Sequence, residues 1–326
     1  MLGIAIVGCG LIGHKRAAAL GGARLIACAD MVPTRAEALA NTVPGAVAVE
    51  RWQDAIAYPG VDAVVVATTH NALAEITLAA INAGKHVLVE KPAARVASDL
   101  EPVLAALAGR DLIVRVGFNH RYHPAFQRAR QLVDDGALGD LLYIRGRYGH
   151  GGRLGYEREW RANAALSGGG ELIDQGVHLI DLSRWFLGDF TDIRGTINTY
   201  FWDMAVEDNG FLTLRTEQRQ TAFLHASCTE WKNLFSFELF GRVGKLEVTG
   251  LGGSYGTERL AVYRMLPEMG PPETMMWEYP GRDRSWEDEF AAFVADIERG
   301  HLRGPGLADA RAALRIVATV YRDGAA

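Results

Sequence analysis

Several protein classes are set aside by what this chain has little of. Its 326 residues hold only three cysteines, Cys9, Cys28 and Cys228, an odd number without metal-ligand spacing. No disulfide framework and no metal site is therefore expected, and the thiols read as reduced, as in a cytoplasmic protein. No run approaches the roughly 18 apolar residues that a membrane span needs. The start, Met1 to Val7, passes straight into an apolar strand, with no cationic leader or small-residue cleavage site expected. Positive charge is scarce: 34 Lys and Arg stand against 39 Asp and Glu, a net charge of −5, and the basic residues are scattered among acids. Such a surface offers no basic face to a phosphate backbone, so neither nucleic acid nor a membrane is expected as partner. Internal repeats and low-complexity tracts are absent as well.

What is present suits a globular protein of two domains. At 49% hydrophobic residues the chain can bury a sizeable core, and its length exceeds what one core usually fills. Up to about residue 119, apolar runs at Ile4 to Val7, Leu25 to Ala29, Ala63 to Ala67, His86 to Val89 and Ile113 to Phe118 alternate with helical stretches. These stretches are Arg16 to Leu20, Thr34 to Ala40, Ala72 to Ala83 and Leu100 to Leu107. That alternation predicts a parallel sheet covered by helices on both faces, an α/β fold. Past residue 140, Leu141 to Tyr148, Ile193 to Thr199, Phe211 to Arg215, Thr221 to His225 and the period-two run Phe235 to Leu239 predict a mostly antiparallel sheet with one buried face. A late helix opens at Ser285, with Asp288 three residues on and apolar residues at Phe290, Phe293, Val294 and Ile297.

Three motifs carry chemistry. Directly after the first strand, Gly8-Cys9-Gly10-Leu11-Ile12-Gly13 opens the first helix. In a dinucleotide site the first glycine makes the turn, the second admits the pyrophosphate to backbone amides, and the third lets helix and strand pack closely. Asp30 closes the second strand, where an acid that accepts from the adenosine ribose hydroxyls belongs. It favours NAD over NADP, although Arg35 keeps dual use open; the plainer readings are a structural turn and a helix-capping acid. The second motif, "HVLVEKP" at residues 86–92, places Glu90, Lys91 and Pro92 at the carboxyl end of a strand, the edge that lines the ligand crevice in parallel sheets. Lys91 is there either an active-site ammonium or a solvated surface lysine.

The third motif is "GGGELIDQGVHLID", residues 168–181. Its second half reads as a helix on which Asp174, His178 and Asp181 share one face. Alone, Asp174 and His178 make an ordinary i,i+4 pair as readily as a catalytic one. Gly176, costly by about 1 kcal/mol against Ala in mid-helix, marks a close approach.

Taken together, the glycine loop, "AGKHVLVEKP" at residues 83–92 and the 168–181 motif resemble the Gfo/Idh/MocA family of NAD(P)-dependent oxidoreductases. The resemblance runs over most of the chain. It implies a Rossmann domain, residues 1–119, followed by a substrate-binding and oligomerisation domain, residues 120–326, whose open sheet makes a homodimer or homotetramer. It also implies that Lys91, Asp174 and His178 are the catalytic residues, with Gly8, Gly10, Leu11, Ile12, Gly13, Asp30, Thr68, Glu90 and Lys91 around the cofactor. Oxidising a secondary alcohol requires removal of a hydroxyl proton as hydride leaves the carbon, and a base that titrates near neutrality suits that task. His178 fits it, Asp174 orients the ring or binds a neighbouring hydroxyl, and Lys91 stabilises developing negative charge.

Two loops depart from or extend the pattern. Where the family has a Pro-Asn pair followed by a histidine, this chain has Thr69, His70 and Leu73, with Thr68 still placed to approach the dinucleotide. "FNHRYHP", residues 118–124, offers Arg121 and His123 either to substrate or to interdomain packing, and "REWRANAALSGGG", residues 158–170, offers Trp160, Arg161 and Asn163 to substrate. Tyr148, His150 and Arg153 lie in a glycine-rich loop suited to closing over a site. The expected reaction is NAD-dependent hydride transfer at a secondary alcohol of a sugar, cyclitol or nucleotide sugar. A redox-neutral NAD-using lyase or glycosidase, and a cofactor-sensing regulator, are the alternatives.

Overall fold

The computed structural model describes residues 1–323. Six parallel strands, β1 (Gly3–Val7), β2 (Arg24–Ala29), β3 (Val47–Val49), β4 (Ala63–Val66), β5 (His86–Glu90) and β6 (Val114–Gly117), form one sheet in the order β3-β2-β1-β4-β5-β6. This is the doubly wound order, with its reversal at β1 and β4. The central strands are buried throughout, which is why they read as continuous apolar runs. Helices α1 (Leu11–Ala18), α2 (Pro33–Ala40), α3 (Trp52–Ala57), α4 (His70–Asn82) and α5 (Glu101–Leu107) make the crossovers.

The second sheet has eight strands: β7 (Leu141–Gly149), β8 (Asp192–Asn198), β9 (Asn209–Arg215), β10 (Thr221–Ser227), β11 (Leu234–Gly241), β12 (Lys245–Thr249), β13 (Glu258–Arg264) and β14 (Glu273–Tyr279). Their order is β14-β13-β12-β11-β7-β10-β9-β8, and every pairing is antiparallel except β7 with β10. Both expected sheet types are therefore found. Helices α6 (Pro124–Asp134), α7 (Ala164–Ser167) and α8 (Val177–Leu187) follow in chain order. Helices α6 and α8 pack on one face of the second sheet, where a Cβ at Gly146 would meet Leu224, Phe237 and Leu179 at 3.1–3.2 Å. The other face is polar and aromatic: Arg145 and Lys245 grip Glu238, and Tyr143 stacks on Phe240 at 4.2 Å.

By contacts, the chain divides into two compact units. One holds residues 1–118, 165–168 and 286–315; the other holds 119–164, 169–285 and 316–326. The late helix α9 (Ser285–Arg299) thus returns to the first unit, where Phe290 and Phe293 complete the core made by Ile4, Ile6, Leu25, Val65 and Leu88. The last helix, α10 (Leu307–Asp323), carries the chain back to the second. Four strands escape the sequence patterns. β3 is three residues long and only half buried, and β12, β13 and β14 interrupt their apolar positions with charged residues.

Candidate active site

In the first unit the glycine loop sits as its spacing requires. Gly8 has a φ of +96°, and a side chain there would run into the Ala67 carbonyl oxygen at 2.4 Å. A Cβ on Gly13 would lie 2.1 Å from the Gly8 carbonyl oxygen, so helix and loop touch. At Gly10, in contrast, a Cβ would meet no protein atom within 4 Å. Gly10 is also the N-cap of α1, where no side chain caps the helix and no acid occupies the first turn. Free amides, a positive dipole end and open space above them suit a pyrophosphate. Leu11 is exposed and Ile12 half buried beside this opening.

Asp30 ties the loop to the end of β2. Its carboxylate accepts from the Cys9 amide at 2.7 Å and from the Val32 amide at 2.9 Å, each oxygen keeping a second lone pair. Thr68 is half buried after β4 and donates to the Thr69 carbonyl at 3.2 Å. His70 opens α4 and makes a 2.8 Å contact from Nδ1 to the Ser167 carbonyl, while Leu73 is fully buried. Lys91 is half buried at the end of β5, and the Lys91–Pro92 peptide is cis. The carboxylate of Glu90 faces inward, where it accepts from Arg16 Nε at 2.6 Å.

In the second unit the 168–181 motif has a different local geometry from the helix read in the sequence. Residues Leu172–Gly176 form a π turn, and α8 follows from Val177. Such wide turns recur at functional sites. Asp174, His178 and Asp181, all 3% exposed or less, meet three separate partners. Asp174 accepts from Arg161 Nε at 2.8 Å, Asp181 takes a two-bond grip from Arg121 at 2.8 and 2.6 Å, and the His178 ring stacks on His120 with centroids 3.8 Å apart. Gly176 does mark a close approach: a Cβ there would meet Leu172 at 2.8 Å and Ala226 of β10 at 3.3 Å.

The glycines before the turn serve packing. Gly168 has a φ of +83° and leaves no room beside Arg95, Gly169 lies under the Tyr321 hydroxyl, and Gly170 lies under the Glu207 carbonyl. Glu207 then receives the Gly170 and Leu172 amides at 3.0 Å and the Tyr321 hydroxyl at 2.8 Å. Burial pushes this carboxyl above its ordinary range against those donors.

Of the other expected substrate residues, Arg161 lies over the Trp160 ring at 4.8 Å, and Asn163 is exposed. His123 contacts Glu258 at 2.8 Å through Nδ1, and Arg121 is 9% exposed and committed to Asp181. Arg153 pairs with Glu159 at 2.7 Å. His150 accepts from the Gly152 amide on Nδ1, so its Nε2 hydrogen points to Glu171, 3.6 Å away. Burial disfavours the charged His150 ring, but the Glu171 and Asp174 carboxylates outweigh it, and its pKa is raised. Burial drives the Tyr148 phenol well above its usual value and, opposed by Tyr148, carries Tyr255 to about 12.

Residues that pattern reading passed over include Arg16, Glu289, His120, Glu171 and Glu207. Glu171 and His120 sat inside motifs already singled out, so their polarity in buried segments was the available signal; the partners of Arg16 lie too far along the chain for any local pattern. Among the described residues no group of His, Cys, Asp and Glu is arranged to hold a metal ion. Cys9, Cys28 and Cys228 are free and buried. No helix among the described residues is long and apolar enough to cross a membrane.

The doubly wound sheet, its glycine loop and the acid at the end of β2 define a dinucleotide-binding protein of the Rossmann class. Residues 2–118 match the family model described as the oxidoreductase family, NAD-binding Rossmann fold, and residues 126–247 match the Gfo/Idh/MocA C-terminal domain model. The chain belongs to the Gfo/Idh/MocA family, and its first unit carries the family's NAD-binding fold. Among curated relatives, levoglucosan dehydrogenase of Pseudarthrobacter phenanthrenivorans is 30% identical over 51% of this chain and 43% of its own. Inositol 2-dehydrogenase of Gluconacetobacter diazotrophicus is 34% identical over 57% and 54%. The chain thus spans about half the length of these relatives. A solved levoglucosan dehydrogenase, in complex with NADH and levoglucosan, superposes with a TM-score of 0.90 over 99% of this chain and 98% of its own, at 22% identity, and shares the fold.

Proposed function

We propose that the protein is an NAD-dependent dehydrogenase or ketoreductase that transfers hydride between the nicotinamide and a secondary alcohol of a sugar, cyclitol or nucleotide sugar. The observation that carries this reading is the buried cluster around His178. An imidazole, a group that titrates near neutrality, stands on the same π-turn and helix segment as an Asp174–Arg161 pair able to hold hydroxyls. The relatives named as sugar and inositol dehydrogenases support the substrate class.

In this reading residues 1–119 bind the dinucleotide, through Gly8, Gly10, Leu11, Ile12, Gly13, Asp30, Thr68 and Glu90, and residues 120–326 bind substrate. NAD, when bound, supplies the hydride acceptor. His178 takes the hydroxyl proton, Asp174 holds the adjoining hydroxyl, and the Lys91 ammonium stabilises negative charge on the substrate oxygen. Trp160, Arg161 and Asn163 form the substrate contact nearest Asp174, with Arg121 and His123 behind. Asp30 disfavours a 2′-phosphate and so favours NAD. The exposed Tyr143, Phe223 and Met276 on the open sheet support a homo-oligomer, a dimer or tetramer, formed through that face. Three unpaired thiols support a cytoplasmic setting.

Lys91→Ala and His178→Ala test the assignment. Each is expected to lower kcat/KM by about 100-fold or more, while NAD binding, followed by nicotinamide fluorescence, is retained. Wild-type rates in both variants would remove these residues from the chemistry.

A further inference from the structure

His120 has no role in the reading above, yet it makes the closest ring contact of His178. The two imidazoles lie nearly face to face, with centroids 3.8 Å apart and planes inclined by 32°. His120 is 5% and His178 3% exposed, so water cannot screen one ring from the other. Aromatic rings wall the pair: Tyr148 lies 5.1 Å and Phe235 5.9 Å from the His120 centroid.

The charged groups around the stack are committed elsewhere. Asp174 is bound to Arg161 and Asp181 to Arg121. Glu171 faces His150, while Glu258 and Asp283 face His123, which meets His120 only through a ring edge at 5.5 Å. Tyr148 and Tyr255 are held neutral by burial. Two cations in this stack would repel each other in a poorly screened wall, so only one ring carries a proton across the neutral range. Asn119 indicates which. Its amide NH2 donates to Ser285 Oγ at 2.8 Å, which turns its oxygen to His120 Nδ1 at 3.3 Å and solvates an N–H there.

We propose that His120 is a positioning residue that takes the first proton of the stacked pair and thereby keeps His178 a neutral base at neutral and mildly acidic pH. This rests on the assignment of His178 as the base, but the coupling itself needs no substrate to be measured. Protein carrying 13C at histidine Cε1 is titrated by NMR, with His120 and His178 assigned through His120→Gln and His178→Asn. In the wild type the His120 signal should move first on acidification, with His178 following about one pH unit or more lower, a tenfold difference in protonation. In His120→Gln and His120→Phe the His178 midpoint should rise by a similar amount, and the acidic limb of kcat/KM should move up in pH with it. A purely structural role would lower the rate equally at all pH values. Simultaneous titration of the two rings in the wild type, or His178 moving first, would overturn the proposal without any variant; so would an unmoved His178 midpoint in either folded variant. A coupled pair in an enzyme inactive on all polyols would uphold the proposal and sink the dehydrogenase reading. An uncoupled pair in an active dehydrogenase would do the reverse.

Discussion

Arg16 is 1% exposed and holds two carboxylates at once, Glu90 at the end of β5 and Glu289 on α9, the latter at 2.5 Å. Two acids share one buried cation, so one of them must be costly to ionise. Burial pushes Glu289 up to about 7, with Arg16 opposing and Glu90 adding to the rise. A carboxyl whose folded pKa is raised favours the folded state below its unfolded value, near 4.5, and loses that contribution as pH rises through 7. Glu289→Gln keeps an acceptor for Arg16 and removes the titration. Its stability relative to wild type should therefore grow between pH 5 and pH 8, by up to about 3 kcal/mol; urea unfolding at the two pH values checks this, and a pH-independent difference would deny the strained carboxyl. None of this was legible locally. Arg16 and Glu289 are 273 residues apart, and Glu90 looked like a cofactor contact because its motif says where a strand ends, not which way a carboxylate turns.

At the level of elements, the 168–181 segment shows how far a motif reads into geometry. The spacing of Asp174, His178 and Asp181 correctly marked a helix, but the π turn at Leu172–Gly176 depends on what lies beneath it: Ala226 against Gly176, and Glu207 against Gly170. No residue type in the motif announces that turn. The three glycines drew notice as a loop, whereas their positions are set by contacts with Arg95, Tyr321 and Glu207. A Cβ on Gly170 would lie 1.9 Å from the Glu207 carbonyl oxygen, a backbone atom that cannot rotate away. Gly170→Ala should cost about 2–3 kcal/mol and lower the melting temperature by a few degrees, as calorimetry would show. An unchanged melting temperature would mean that this packing yields easily.

For the whole molecule, the alternation of apolar runs with helical stretches made the doubly wound sheet legible before any coordinates, because strands buried on both faces cannot hide their composition. The eight-stranded sheet was legible only in part. Its central strands alternate cleanly, but Lys245–Thr249, Glu258–Arg264 and Glu273–Tyr279 carry charges such as Glu247 and Arg259 among their apolar residues, and an edge strand with polar neighbours resembles a loop. The return of α9 to the first unit was not legible at all, since an amphipathic helix states that it has a buried face without stating what covers it. The candidate site divides in the same way: motifs named the residues, and folding supplied the partners that set their charge.

The central claim is hydride transfer from a polyol to NAD. The most direct measurement mixes the purified protein with NAD, or separately with NADP, and with cyclitols, free sugars and nucleotide sugars in turn, and follows the absorbance of reduced nicotinamide. Reduction by at least one of these classes, faster with NAD than with NADP, is the predicted result. No reduction with any of them, while NAD binding is evident from fluorescence, would contradict it.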